Sequence, residues 1–436
     1  MTHSSPPGER ASEAPVVSDE SDFGGYFVSA YPPFRAWTAE QVGVLEPRLA
    51  RRPASVPLGL YVHVPFCEHR CHYCYYLSHD DRAAERERYL AALVAELELY
   101  ARAPLLAGRA LDFAYFGGGT PSLLTPDQIE RLFADLAARV PWSAVREVTF
   151  ECAPRSVTEV KARVLRNAGV NRVSLGVQQL DDGVLAENGR IHRVADVERA
   201  YSLLRQAGFP VVNIDLIVGL VGESEATFQR SLARVIELAP ECVTLYQLEI
   251  PHNTPLYRRL RAEPAAARPA SWPEKQARLT RGFERLRAAG YELRSAYTAA
   301  AGARARQFVY QDELYAGADL LGLGASSFSY LDGLHFQNHA RLESYFDALS
   351  RGLRPVARAY DLDADERLVR EFVLQLKLLR VPLAPLRARF GARALDSLAE
   401  PLRRLEAAGW LALGEGAVTV TAQGLPRIDR LLREFY

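Results

Sequence analysis

The chain has 436 residues, of which 48% are hydrophobic, 24% charged and 10% aromatic, the proportions of a globular protein with a large core. Lys plus Arg and Asp plus Glu each total 53, so the net charge is zero and the broad basic field of a protein that lives on nucleic acid or anionic membrane is absent. The length suits two or three domains or one large barrel with appendages, and no apolar run is long enough to span a bilayer.

The first residues lack the apolar core of a secretory signal, and the five cysteines (Cys67, Cys71, Cys74, Cys152, Cys242) are an odd, sparse set. Both observations argue against a disulfide framework and for a reduced, cytoplasmic compartment. Residues 1–22 are rich in Ser, Pro, Glu and Asp and are expected to be disordered. Residues 23–55 carry Tyr26, Phe27, Tyr31, Phe34 and Trp37, an aromatic density that predicts an ordered extension packed on the remainder.

From residue 56 to about 355, short β-branched or aromatic runs alternate with amphipathic stretches. The apolar runs are 60–64, 113–116, 148–150, 173–177, 211–218 and 243–246, and helical periods cover 86–100, 126–139, 157–168, 194–206 and 225–238. Repeated β-then-α predicts parallel strands with crossover helices. Side chains alternate faces along a strand. Thr149 and Glu151 therefore share one face, as do Ser174, Gly176 and Gln178, and Asn213 and Asp215, while the large apolar residues take the other. Polar groups facing inward near the C-terminal ends of successive strands predict an α/β barrel with its site at that end.

Residues 360–436 change character. They predict helices over 363–380, 383–390 and 393–408, a hairpin over 410–421 with Gly414-Glu-Gly416 at its turn, and a last helix, a winged-helix-like module. Asp396 and Glu400 beside Arg403 and Arg404 leave no basic stripe, so capping or support is expected in place of DNA binding.

The sharpest chemical signal is Cys67-Glu-His-Arg-Cys71-His-Tyr-Cys74, directly after the first strand. Three thiolates on one loop suit an iron–sulfur cluster or zinc, and His63, His69, His72 and His79 leave zinc open. Three cysteines would leave one iron of a cubane [4Fe-4S] cluster without a protein ligand. The glycines of Phe116-Gly-Gly-Gly-Thr-Pro121 would let a ligand approach the backbone closely.

The Cys-x3-Cys-x2-Cys spacing resembles that of radical S-adenosylmethionine (SAM) enzymes. Tyr61-Val-His-Val-Pro-Phe-Cys67 resembles their oxygen-independent coproporphyrinogen III oxidase (HemN-like) branch. So do Phe116–Pro121, Val173–Gln178, Gly189-Arg-Ile-His192, Asn213–Gly219, Ser29-Ala-Tyr-Pro and the tail. The resemblance implies a partial (β/α)6 TIM-type barrel with a small C-terminal HemN-like domain. It implies a [4Fe-4S] cluster on Cys67, Cys71 and Cys74, and one or two SAM molecules. The family's SAM contacts fall on Tyr61, Gly118, Gly119, Thr120, Glu151, Gln178, Arg190 and Asp215. A flavodoxin or ferredoxin would supply an electron for cleavage of SAM to methionine and a 5′-deoxyadenosyl radical, which abstracts hydrogen from a small-molecule substrate such as a tetrapyrrole.

Two departures from that family matter. Coproporphyrinogen oxidases add a fourth cysteine two positions after the third, where this chain has Tyr76, the residue expected near the reacting centre. The related heme chaperones carry a His-Asn-x2-Tyr-Trp stretch, and the comparable region here, Gln307–Tyr315, lacks its His-Asn. Three readings result: oxidative decarboxylation of a porphyrin propionate, radical methyl transfer or cyclopropane formation on another unsaturated substrate, and, least favoured, heme carriage.

Overall fold

A computed structural model describes residues 31–436 apart from 54, 77, 81, 263–267 and 304–306. The segment 1–22 and the aromatics Tyr26 and Phe27 lie outside the described residues.

The six expected strands form and lie parallel in chain order: β1 (Leu58–Val64), β2 (Phe113–Gly118), β3 (Glu147–Cys152), β4 (Arg172–Gln178), β5 (Val211–Val218) and β6 (Cys242–Gln247). Crossover helices cover their outer face. Phe116 of β2 stacks on Phe133 of the helix Pro126–Ala137 and on Phe150 of β3, with ring centroids 4.6 and 5.5 Å apart. That helix starts where Thr125 and Gln128 cap each other's backbone N–H groups and Pro126 fills the first turn.

The sheet continues beyond these six strands. β8 (Thr298–Ala300) adds antiparallel to β6, and β7 (Glu292–Leu293) adds antiparallel to β8. β9 (Asp319–Leu323) adds parallel to the far side of β1, and β10 (Phe328–Leu331), β11 (Leu334–Asn338) and β12 (Val356–Asp361) follow it antiparallel. The order across the twelve strands is β12-β11-β10-β9-β1-β2-β3-β4-β5-β6-β8-β7. The end strands do not pair with each other, so the barrel is open. The anticipated break between 355 and 360 falls inside β12, which the β11 ladder holds in the main sheet through Asp361.

The aromatic extension packs on this far edge. Trp37 is buried, its indole N–H donates to the Pro32 carbonyl at 3.2 Å, and its ring meets Phe328 and His335. The C-terminal module holds helices Ala364–Leu376, Leu383–Phe390 and Ala399–Ala407 and a three-stranded sheet of Arg380–Pro382, Leu411–Leu413 and Ala417–Val420. Its first helix is shorter than expected because residues 380–382 leave it to pair with the hairpin. One continuous core runs from barrel strands to Phe372, Leu376, Ile428 and Leu431, fixing the module against the barrel.

Candidate functional site

The cysteine loop leaves the C-terminal end of β1 and is closed by a short parallel pairing of Phe66–Cys67 with His79–Asp80. Its middle is tied down by two backbone bonds, His72 N–H to Asn188 O at 3.1 Å and Leu256 N–H to His72 O at 2.7 Å. Cys67, Cys71 and Cys74 are half-buried. Thr120 Oγ1 donates to Cys67 Sγ at 3.5 Å and Arg190 Nη1 donates to Cys71 Sγ at 3.2 Å. Burial pushes the Cys67 thiol up and the Cys74 thiol up to about 11. A thiol so placed ionises when it gains a cationic partner. Among the described residues no three His, Cys, Asp or Glu side chains converge as a single metal ion requires.

Next to this loop is a cavity of about 370 Å³. It brings together Cys71, Cys74, Tyr76, Gly118, Gly119, Thr120, Glu151, Gln178, Arg190 and Asp215 from the sequence-derived set. Arg190 is anchored by its second Nη, which donates to Gly176 O at 2.6 Å, while its buried Nε has no hydrogen-bond partner. Glu151 accepts from Tyr115 Oη at 2.7 Å and from Gly118 N–H at 3.1 Å, and burial raises its carboxyl to about 7. Asp215 accepts from Ser174 Oγ and Asn213 Nδ2, both at 2.8 Å, and burial raises it to about 6. These carboxyls are poised to be ionised by a bound cation or to hold neutral donors.

Three expectations are refined. Tyr61 is not part of the cavity lining. In the β1–β2 register it pairs with Tyr115, which does line the cavity, and the two rings stack with centroids 5.9 Å apart. There its hydroxyl meets His63 Nδ1 at 3.1 Å. Gly118 and Gly119 also lie tightly against protein. A Cβ on Gly118, where φ is +116°, would lie 2.6 Å from the His63 ring, and one on Gly119 would lie 2.8 Å from the Phe66 carbonyl. Gln178 reaches the wall through a left-handed φ of 67° and a register shift after Gly176, not through simple alternation. Tyr76 is 50% exposed and stacks on Tyr75 with centroids 4.5 Å apart.

Much of the remaining wall was missed from sequence: Tyr115, Tyr246, Trp272, Tyr297 and the segment 425–430 of the C-terminal module. Tyr297 Oη donates to Asp429 Oδ1 at 2.7 Å and Gln247 Nε2 donates to Pro426 O at 3.2 Å, pinning that segment to the barrel. Cys152, 4% exposed, touches the wall, and buried Cys242 lies by Arg172, so neither joins the cysteine loop.

The family model for the radical SAM superfamily matches residues 61–235, and that for the HemN C-terminal domain matches 362–427. The chain is 33% identical over 373 residues to a protein of Mycobacterium tuberculosis named heme chaperone HemW, covering 83% of this chain and 92% of that one. It is 30% identical over 397 residues to the oxygen-independent coproporphyrinogen III oxidase of Pseudomonas aeruginosa, covering 86% and 84%. The solved structure of coproporphyrinogen III oxidase (HemN) from Escherichia coli, described as a radical SAM enzyme, superposes with a TM-score of 0.81 at 28% identity, covering 94% of this chain and 96% of that one.

Proposed function

The chain belongs to the radical SAM superfamily, in the branch of coproporphyrinogen oxidases and HemW proteins, and we propose that it is an enzyme that oxidatively decarboxylates a porphyrinogen propionate in the cavity beside the cysteine loop. The observation that carries an enzymatic reading is that cavity, which joins the three-cysteine loop, the inner-face carboxylates and the C-terminal cap in one enclosure.

The residues present fit the superfamily's cofactors. Three half-buried thiols on one loop, with a guanidinium on one and a hydroxyl on another, are donors suited to a [4Fe-4S] cluster. When bound, the cluster and SAM supply one-electron cleavage of SAM and hydrogen abstraction. Cys67, Cys71 and Cys74 would hold the cluster. On the cavity wall, Arg190 would supply charge for an anionic group, and Glu151 and Asp215 carboxyl oxygens for ribose hydroxyls or an amine. The segment 425–430 would exclude water above the substrate. A small flavodoxin or ferredoxin is the proposed electron donor. Among the described residues no helix is long and apolar enough to cross a membrane.

Radical methyl transfer to another unsaturated substrate is a second reading, favoured by Tyr76. A phenol occupies the place of a thiol and offers a hydrogen bond where a thiol would offer ready hydrogen or electron transfer. The mass of the substrate-derived product after anaerobic turnover, with coproporphyrinogen III and with other unsaturated candidates, separates the readings. Loss of carbon dioxide supports decarboxylation. Gain of a methylene-sized fragment supports methyl transfer. Bound heme with SAM uncleaved would overturn the enzymatic reading in favour of heme carriage.

A further inference from the structure

Two large aromatic side chains face the cavity instead of the core, Tyr76 at 50% and Tyr246 at 43% exposure. Each is backed by a second ring. Tyr75 lies 4.5 Å from Tyr76 with 28° between the planes, and Tyr297 lies 6.1 Å from Tyr246 with 29°. Exposed rings forgo hydrophobic stabilisation, and a ring held by a second ring presents a rigid flat face at low entropic cost.

The C-terminal wall adds a cation. Arg427 is half-buried and lines the same cavity. Its Nη1 donates to the Gln423 carbonyl at 3.0 Å, its guanidinium lies 5.9 Å from the Trp410 ring, and among the described residues no carboxylate pairs with it. The segment carrying it is fixed on both sides, by Gln247 at Pro426 and by Tyr297 at Asp429. A partly desolvated guanidinium without an acid, held in place beside open space, is preorganised for an anion. Arg190 is committed elsewhere, to Cys71 and Gly176.

We infer that the cavity holds a substrate subsite for a flat unsaturated ring bearing a carboxylate, with Tyr76 and Tyr246 as stacking faces and Arg427 as the anion anchor. The inference rests on the enzymatic reading above and deepens it: Arg190, Glu151 and Asp215 serve SAM, the two tyrosines hold the substrate ring, and Arg427 of the C-terminal module chooses the substrate by its charge. Arg427 is a specificity residue and takes no part in SAM cleavage.

The test uses the intact, anaerobically reconstituted chain and two fluorescent probes, pyrenebutyrate and the uncharged pyrenebutanol, with SAM affinity measured in parallel. The butyrate should bind ~10-fold more tightly than the alcohol. Arg427→Gln should erase that preference and Arg427→Lys should keep most of it. Tyr246→Ala should weaken both probes alike. SAM affinity should stay at the wild-type value in both Arg427 variants, which also reports that they are folded. Equal binding of the two probes to the wild type, binding of neither, a preference that survives Arg427→Gln, or a matching fall in SAM affinity would each overturn the subsite. Failure of the enzymatic reading shows separately, as no 5′-deoxyadenosine from the reconstituted protein while the probes still bind.

Discussion

Replacing Gly118 by Ala should destabilise the protein and weaken SAM binding together. Gly118 has a φ of +116°, and an added Cβ would lie 2.6 Å from His63 Cε1 and 2.7 Å from Nδ1. The backbone conformation costs an L-residue about 1–3 kcal/mol. Crowding adds about 1–3 kcal/mol more, because the His63 ring is buried and held by Tyr61, and so cannot swing away. Together these are a large share of the ~5–15 kcal/mol that stabilises a typical protein. The two parts are separable. His63→Ala removes the crowding and leaves the backbone strain, so in that background Gly118→Ala should lower the urea midpoint by about half as much. SAM affinity should fall in Gly118→Ala because the Gly118 N–H holds Glu151 Oε2 at 3.1 Å. Urea unfolding of the four proteins reads the coupling. A wild-type midpoint for Gly118→Ala, or an equal loss in both backgrounds, would refute the packing account.

Anaerobic reconstitution should load about four irons and four sulfides per chain. Ala at Cys67, Cys71 or Cys74 should abolish the brown chromophore, whereas Ala at Cys152 or Cys242 should leave it, as iron analysis and absorbance would show. Glu151→Ala, Arg190→Ala and Asp215→Ala should lose SAM binding or cleavage, and wild-type 5′-deoxyadenosine from all three would mean the site lies elsewhere. Asp215 is raised by burial from 3.8 to about 6, so its contribution to stability is full below about pH 4 and is lost as pH rises through about 6. Asp215→Asn should accordingly stabilise the ligand-free protein by about 1–3 kcal/mol near pH 8 and not near pH 4, as thermal midpoints at the two pH values would show. Tyr76→Cys should leave iron content unchanged, since the Tyr76 ring stacks on Tyr75 and its hydrogen bond to the Cys74 thiol comes from the backbone, which the substitution keeps.

The inward faces of β3, β4 and β5 were readable because period-two alternation separates Glu151, Ser174 and Asp215 from the valines and phenylalanines beside them. The cysteine loop was legible from its spacing alone, and the resemblance added Arg190, whose loop carries no periodic signal of its own. It also brought in Tyr61, which stacks beside Tyr115 and does not itself line the cavity. β9 to β12 were not anticipated. Asp319–Leu323 and Leu334–Asn338 are buried at every position, and a strand covered on both faces shows no alternation. The wall at 425–430 escaped for a different reason. Local patterning announces a module but not where it docks, and the contacts at Gln247 and Tyr297 span more than a hundred residues.

The contribution of 425–430 to the cavity has a consequence for how the protein comes into being. The barrel half of the enclosure is complete only once the ribosome has passed Tyr297, and the wall carrying Arg427 follows more than a hundred residues later. During synthesis the cysteine loop and its carboxylates therefore stand in an unroofed bowl. A cut by a protease shortly before Leu425 would recreate that bowl in the finished protein. Such a product would keep every residue assigned to the cluster and SAM while losing the surface against which a substrate is measured, so radical generation would be uncoupled from its target.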